Sequence, residues 1–157
     1  MIIIYSFFFI ASILTFSVGN FFFNIIYKKE NNYKFSLSEE SIIGLIFIGF
    51  LSLFLNFFLK IDQLVASILF IFPLVVFIRI YKKKEIELLK KIFLHSLIIS
   101  VAATIFISFD NVNRPDAGIY HLPYVRILND FKIIIGSANF NPLFGASSIF
   151  QYISAIF

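Results

Sequence analysis

Four long apolar segments, separated by short polar stretches, occupy the first two thirds of the chain. The predicted spans are residues 2–27, 41–59, 64–81 and 92–109. Each is close to the ~20 apolar residues that a helix needs to cross a bilayer. A cleaved signal peptide is not favoured at the start, because no basic start or small-residue cleavage site is evident. The predicted fold class is therefore all-α, a multi-pass transmembrane helical bundle.

Polar side chains inside the spans predict where the helices pack. Ser36 or Ser38 is placed to cap the second helix, with two glutamates in its first turn. In the first span, one helical face carries Ser6, Ser17, Asn20 and Asn24, whereas Ser12 and Thr15 fall off it. In the fourth span, a polar residue recurs every four positions, at Ser96, Ser100, Thr104 and Ser108. Because polar groups that face lipid stay unsatisfied, we expect both faces to pack on protein.

Composition and charge support the membrane assignment. The 157 residues are 60% hydrophobic and 14% charged, whereas globular domains average roughly half and a quarter. The absence of cysteine excludes disulfides and thiol chemistry. The net charge of +4 is concentrated beside apolar segments, which is typical of topology signals and does not indicate a nucleic-acid partner.

The distribution of lysine and arginine predicts the orientation. Residues 82–91 carry the densest positive charge, so the positive-inside rule places this loop in the cytoplasm. Counting spans then places the turn at residues 60–63 and the loop at residues 110–145 outside. We expect a bacterial inner-membrane protein whose first partner is membrane lipid.

The outer loop, residues 110–145, holds three of the four prolines and three of the nine acids, so any chemistry is expected here. Pro123 is suited to the start of a short helix between Tyr120 and Phe131. We predict that this helix lies on the membrane surface, with an apolar face of Tyr120, Tyr124, Ile127 and Phe131. A fifth apolar segment, residues 146–157, is too short to span, and the chain is expected to be the N-terminal piece of a longer protein.

Two motifs of this loop, DAGIYHLPY and GSANFNPLFGASS, carry a resemblance. They resemble the outer loop of a family of uncharacterised bacterial multi-pass membrane proteins. That family in turn is similar to C-type glycosyltransferases, which use a polyprenyl-phosphate sugar donor and place a catalytic acid near the membrane. The resemblance implies a role in cell-envelope polysaccharide synthesis.

Carried onto this sequence, the resemblance implies a set of site residues. The catalytic residues would be Asp116 and His121. The substrate-binding residues would be Tyr120, Asn139 and Ser148. Apart from the resemblance, the chemistry of an arginine side chain suits Arg114 or Arg126 to pair with the lipid phosphate, so both are substrate-binding candidates as well. A carboxylate at position 116 can accept a proton from an acceptor hydroxyl or hold a divalent cation that neutralises the leaving phosphate. The sequence departs from the pattern at Asn141 and Leu143, where a histidine and an arginine are expected.

Structural interpretations remain open for the same residues. Asp116 can cap a turn at Gly118, the arginines can lie among lipid headgroups, and the tyrosines can be interfacial anchors. For the whole protein, the alternative to an enzyme is a transporter or a non-catalytic membrane subunit. A transporter is expected to place ionisable residues inside its spans.

Overall fold

The computed structural model describes residues 2–26, 36–82, 86–109, 117–139, 142–145 and 148–156. These residues form six α-helices: α1 (Ile2–Ile26), α2 (Leu37–Asn56), α3 (Gln63–Lys82), α4 (Ile86–Phe109), α5 (Leu122–Asp130) and α6 (Ile149–Ile156). Three shorter helical turns lie between α4 and α6: a π-helical turn at Ala117–His121 and 3-10 turns at Ser137–Asn139 and Pro142–Gly145. The described part of the chain contains no strand, so the all-α prediction is confirmed.

The helices α1 to α4 are each long and apolar enough to cross a membrane, as predicted. The largest difference from the predicted boundaries is at α4, which begins at Ile86, six residues before the predicted span. Residues 86–91 of the predicted basic loop are therefore already helical. Leu, Glu and Lys are good helix formers, so the charged residues extend the helix beyond its apolar part.

Side-chain caps fix the starts of α2 and α3. At α2, Ser36 Oγ accepts from the amide of Glu39 (3.3 Å), while Glu39 Oε2 accepts from the amide of Ser36 (2.7 Å). This reciprocal pair is a capping box, and it selects Ser36 of the two predicted caps. At α3, Asp62 Oδ1 accepts from the amide of Val65 (3.1 Å), and that hydrogen bond lowers the pKa of the Asp62 carboxyl.

The chain divides into two compact units, and α2 and α3 each contribute to both. Unit 1 consists of Met1–Phe47 and Ile71–Val112. Its core joins α1, α3 and α4 through Ile13, Phe16, Val76, Ile80, Leu89 and Ile92. Rings surround this core, with Phe93 lying 5.9 Å from Phe9 and 6.4 Å from Phe77 between centroids. Phenylalanine rings thus pack around the core of unit 1 and against one another.

Within unit 1, the polar face of α1 differs from the predicted one. Ser17 is fully buried and Asn20 is half-buried, but Ser6 is exposed. Ser12 and Thr15, predicted to fall off the face, are buried as well. Their hydroxyls donate to carbonyls of their own helix, at Phe9 (3.0 Å) and Ser12 (3.1 Å), so they need no polar partner from another helix. Because α1 is buried continuously from Ser12 to Gly19, no single face of this stretch is distinguished.

The polar stripe of α4 packs on protein only in its first half. Ser96 and Ser100 are buried, whereas Thr104 is half-buried and Ser108 is exposed. The hydroxyls of Ser100, Thr104 and Ser108 each donate to the carbonyl four residues earlier. The predicted packing is therefore confirmed for two of the four residues.

Candidate functional site

Unit 2 contains the predicted site, and consists of Ile48–Phe70 and Asn113–Phe157. We use "post-α4 segment" for its described residues after α4, namely 117–139, 142–145 and 148–156. The predicted short helix is present as α5, with Pro123 in its first turn, as the sequence indicated. The π-helical turn Ala117–His121 leads directly into it. The candidate residues Tyr120 and His121 therefore lie at the beginning of a continuous helical stretch.

A buried asparagine at the end of α2 holds the chain that follows α5. Asn56 is fully buried. Its Nδ2 donates to the carbonyl oxygens of Leu59 and Phe131, both at 3.2 Å, and its own carbonyl accepts from the amide of Ile133 at 3.0 Å. Asn56 thus binds the backbone of the turn that follows α2 and also the backbone of the residues that follow α5. Asn56 Oδ1 is buried without a hydrogen-bond partner among the described residues, so the side chain is held through its nitrogen. A buried donor is costly to leave unpaired, so these two hydrogen bonds fix the arrangement.

A second set of hydrogen bonds fixes α5 itself. The amide of Ile61, in the turn before α3, donates to the carbonyl of Leu128 at 2.8 Å. In the orientation that satisfies its neighbours, the Asn129 side chain donates to the carbonyls of Ile61 (2.9 Å) and Ala155 (3.2 Å). The turn after α2 and the post-α4 segment are therefore bound side by side.

Helix α6 completes unit 2. Gly49 of α2 lies close to α6, since a Cβ atom there would come within 2.8 Å of the Ile149 side chain and 2.9 Å of the Ile153 side chain. Most of α6 is buried, including Gln151, Tyr152 and Ile153. On α5, Tyr124 is buried and its ring lies 5.8 Å from that of Phe144. The post-α4 segment is thus packed on α2 as a folded part of the protein.

The buried face of α5 differs from the predicted apolar face. Tyr124 and Leu128 are buried, Tyr120 and Ile127 are half-buried, and Phe131 is exposed. The prediction assumed that the apolar face would contact lipid, so it followed the tyrosines and Phe131. Because the helix instead packs on protein and is held by Asn129, its inner face is rotated toward Leu128.

The structure brings two of the candidate residues together. The rings of Tyr120 and His121 lie 4.0 Å apart between centroids and are tilted by 39°. His121 is exposed at the end of the π-helical turn, and Tyr120 is half-buried. The imidazole is therefore accessible from outside the protein while its neighbour supports one face of it.

The remaining described candidates lie apart from that pair. Arg126 is exposed and its Nε lies 3.5 Å from Asp130 Oδ2, one turn further along α5. Asn139 is exposed at the end of a 3-10 turn that follows Gly136, whose φ of 83° suits glycine. Among the described residues, no hydrogen bond or ring contact joins Asn139 or Ser148 to Tyr120 or His121.

Ser148, one of the predicted substrate-binding residues, directly precedes α6. Its amide donates to Gln151 Oε1 at 2.9 Å, and its carbonyl accepts from the amide of Gln151 at 3.0 Å. The side chain of Gln151 is buried and caps α6 from within. The sequence analysis did not single out Gln151, although a polar residue three positions after a serine is a recognisable capping signal.

Asp116 and Arg114 lie outside the described residues, as does Asp110. Among the residues that the structure describes, no three His, Asp or Glu side chains are grouped so that they could hold a metal ion. The sequence analysis also missed Asn56 and Asn129. In the sequence, Asn56 is recognisable only as an asparagine at the end of an apolar helix, and Asn129 only as an asparagine inside an amphipathic helix. Neither position indicates which distant residue the side chain contacts.

These features define a helical integral membrane protein, with four candidate spans and a polar segment after the fourth that folds onto the turn after the second. The chain belongs to the family described as Domain of unknown function (DUF8201), whose match covers residues 1–157. No curated protein and no solved structure matches the chain.

Proposed function

We propose that the protein is a membrane enzyme that transfers a sugar from a polyprenyl-phosphate donor during cell-envelope polysaccharide synthesis. The resemblance of the outer-loop motifs supplies the reaction class. The observation that carries the proposal is the anchoring of the post-α4 segment by Asn56 and Asn129. Catalytic groups need a supporting shell that holds them in place, and a segment bound in this way provides one.

In this proposal, Asp116 is the base that accepts the proton of the acceptor hydroxyl, or the carboxylate that holds a divalent cation. His121 lies five residues further along, exposed and in tilted ring contact with Tyr120, where it can assist the proton transfer. Arg114 and Arg126 bind the donor phosphate. Arg126 is paired with Asp130 only at the surface, and such exposed pairs contribute little, so a phosphate can replace the carboxylate.

Asn139 and Ser148 contact the donor from the far end of the segment. Asn139 has an exposed side chain on a 3-10 turn. The amide of Ser148 is already bound to Gln151, so any contribution of Ser148 comes from its hydroxyl group.

The test is an Asp116→Asn substitution in the full-length protein, with transfer of labelled sugar from a polyprenyl-phosphate donor measured in isolated membranes. The change keeps the size of the side chain and removes the base, so we expect turnover to fall by ~10²-fold or more. His121→Gln should also lower turnover. Asp110→Asn and Asp130→Asn are the matched controls and should leave it nearly unchanged. Unchanged glycan synthesis in Asp116→Asn cells would exclude the catalytic assignment in favour of a turn cap.

A transporter remains the second candidate, and one observation in unit 1 favours it. Glu40, near the start of α2, is half-buried and its Oε2 accepts from Asn20 Nδ2 of α1 at 3.2 Å. Ionisable side chains held between spans are typical of transport pathways. If Glu40→Gln abolished function in cells while Asp116→Asn preserved it, the transporter would be the better description.

A further inference from the structure

Two short turns lie side by side in unit 2. Residues 57–60 follow α2, and residues 131–135 follow α5. Asn56 binds to both, because its Nδ2 donates to the carbonyls of Leu59 and Phe131 and its carbonyl accepts from the amide of Ile133. We refer to residues 57–60 and 131–135 as the paired turns.

The side chains of the paired turns are large, apolar and exposed. Ile135 is 94% exposed and Phe58 is 59% exposed. The others that share this property are Phe57, Leu59, Phe131 and Ile134. Apolar side chains that cluster on an exposed surface indicate a partner that covers them.

Several backbone groups of the paired turns are hydrogen-bonded within the protein. The amides of Phe58 and Leu59 donate to Leu55 at 2.9 and 2.8 Å, and the amide of Phe131 donates to Ile127 at 2.9 Å. Asn56 satisfies the carbonyls of Leu59 and Phe131. Internal pairing of this kind lowers the cost of bringing these groups next to lipid.

Charge and position agree with a lipid partner. Lys60 and Lys132 are exposed within the paired turns. Lysines of this kind extend their cationic ends to headgroup phosphates while their stems stay among apolar groups. Lys60 also lies 3.3 Å from Asp62, immediately before α3. Since α2 ends at Asn56 and α3 begins at Gln63, residues 57–60 lie where a span meets the membrane interface.

We infer that the paired turns insert together into the outer part of the lipid leaflet, with Phe58 and Ile135 among the acyl chains and Lys60 and Lys132 at the phosphates. The lipid contact expected of α5 thus belongs to these turns, because the Tyr124 and Leu128 face of α5 packs on protein. This inference concerns a lipid-binding surface and holds whether or not the protein is an enzyme.

The experiment uses the absence of tryptophan from the chain, so that one introduced tryptophan reports on its own position. Ile135→Trp and Phe58→Trp are made separately in the full chain and reconstituted into phosphatidylcholine vesicles with and without bromine on the acyl chains. Glu87→Trp, exposed at the charged start of α4, is the control. Circular dichroism establishes that each variant keeps the helix content of the parent, and Ile134→Trp replaces Ile135→Trp if that variant does not fold.

We expect the tryptophans in the paired turns to lose emission in brominated vesicles and to be protected from aqueous acrylamide, with the reverse at position 87. If either one were quenched by acrylamide as readily as the control, the insertion would be wrong. If only one of the two responded to bromine, the turns would not form a common surface. Protection from both quenchers would show that protein covers the turns, and would also overturn the proposal.

Discussion

Gly44 of α2 faces the backbone of α1 so closely that a Cβ atom at position 44 would overlap the carbonyl oxygen of Thr15. The same relationship recurs at a second pair of residues in these helices, where a Cβ atom at Gly19 of α1 would overlap the carbonyl oxygen of Glu40 of α2. Between spans, lipid supplies no hydrophobic driving force, so close backbone approach and van der Waals contact hold helices together. The packing of α1 against α2 therefore requires a residue without a Cβ atom at both positions.

We expect Gly44→Ala and Gly19→Ala each to destabilise the protein by about 1–3 kcal/mol or more, because the added methyl group meets backbone atoms that can move only if the helices separate. Thermal unfolding of the purified protein in detergent, followed by circular dichroism, measures the effect.

Two other glycines provide controls for this prediction. At Gly49 the methyl group would meet only the side chains of Ile149 and Ile153, so Gly49→Ala should cost less. At Gly118 nothing lies within 4 Å, and Gly118→Ala should be the mildest of the four. An unfolding temperature for Gly118→Ala as low as that for Gly44→Ala would contradict the packing explanation.

The Asn56 side chain gives the second prediction. Asn56→Ala leaves the carbonyls of Leu59 and Phe131 without their donor, so we expect a loss of ~1–3 kcal/mol in stability. Residues 131–135 should also become more sensitive to protease, because they lose their attachment to α2. Ser67→Ala is the control, since its exposed hydroxyl donates only to Gln63 of its own helix. Equal loss in both variants would contradict the role of Asn56.

The sequence predicted the membrane helices well because their signal is local. About twenty consecutive apolar residues are enough to identify a span, and α1 to α3 agree with prediction within a few residues. Pro123 likewise identified α5 through a preference that acts at one position. The face of α5 could not be predicted in this way, because it depends on Ile61 and Ala155, which lie far from Asn129 in the chain.

Among the candidate site residues, the sequence predicted only where Tyr120 and His121 lie in the fold. The sequence located Tyr120 and His121 near the start of a helix, and the structure places them there in ring contact. It did not show that the amide of Ser148 is occupied, because that depends on the rotamer of a buried glutamine. The packing of Asn56 against residue 131 depends on three-dimensional proximity across α3 and α4, which hydropathy does not encode.

Membrane orientation gives the third prediction. Cysteines introduced at Lys84 and at Asn113 should be labelled from opposite sides of the membrane, the first from the cytoplasm. The native chain contains no cysteine, so the parent protein is an unlabelled control.

A third cysteine, at Lys60, adds a test based on the structure. Because Ile61 is hydrogen-bonded to Leu128, position 60 should be labelled from the same side as position 113. An impermeant reagent that reached both position 84 and position 113 in intact cells would exclude the predicted orientation.

The hydrogen bond between Asn56 and Phe131 also has a consequence for how the protein is made. Its partners are separated by 75 residues, and a ribosome that adds 5–20 residues per second needs roughly 4–15 s to pass from one to the other. During that interval, the nascent α2 carries an asparagine amide at its end with Phe131 not yet synthesised. The end of α2 therefore acquires its partners at residues 131 and 133 only after this interval.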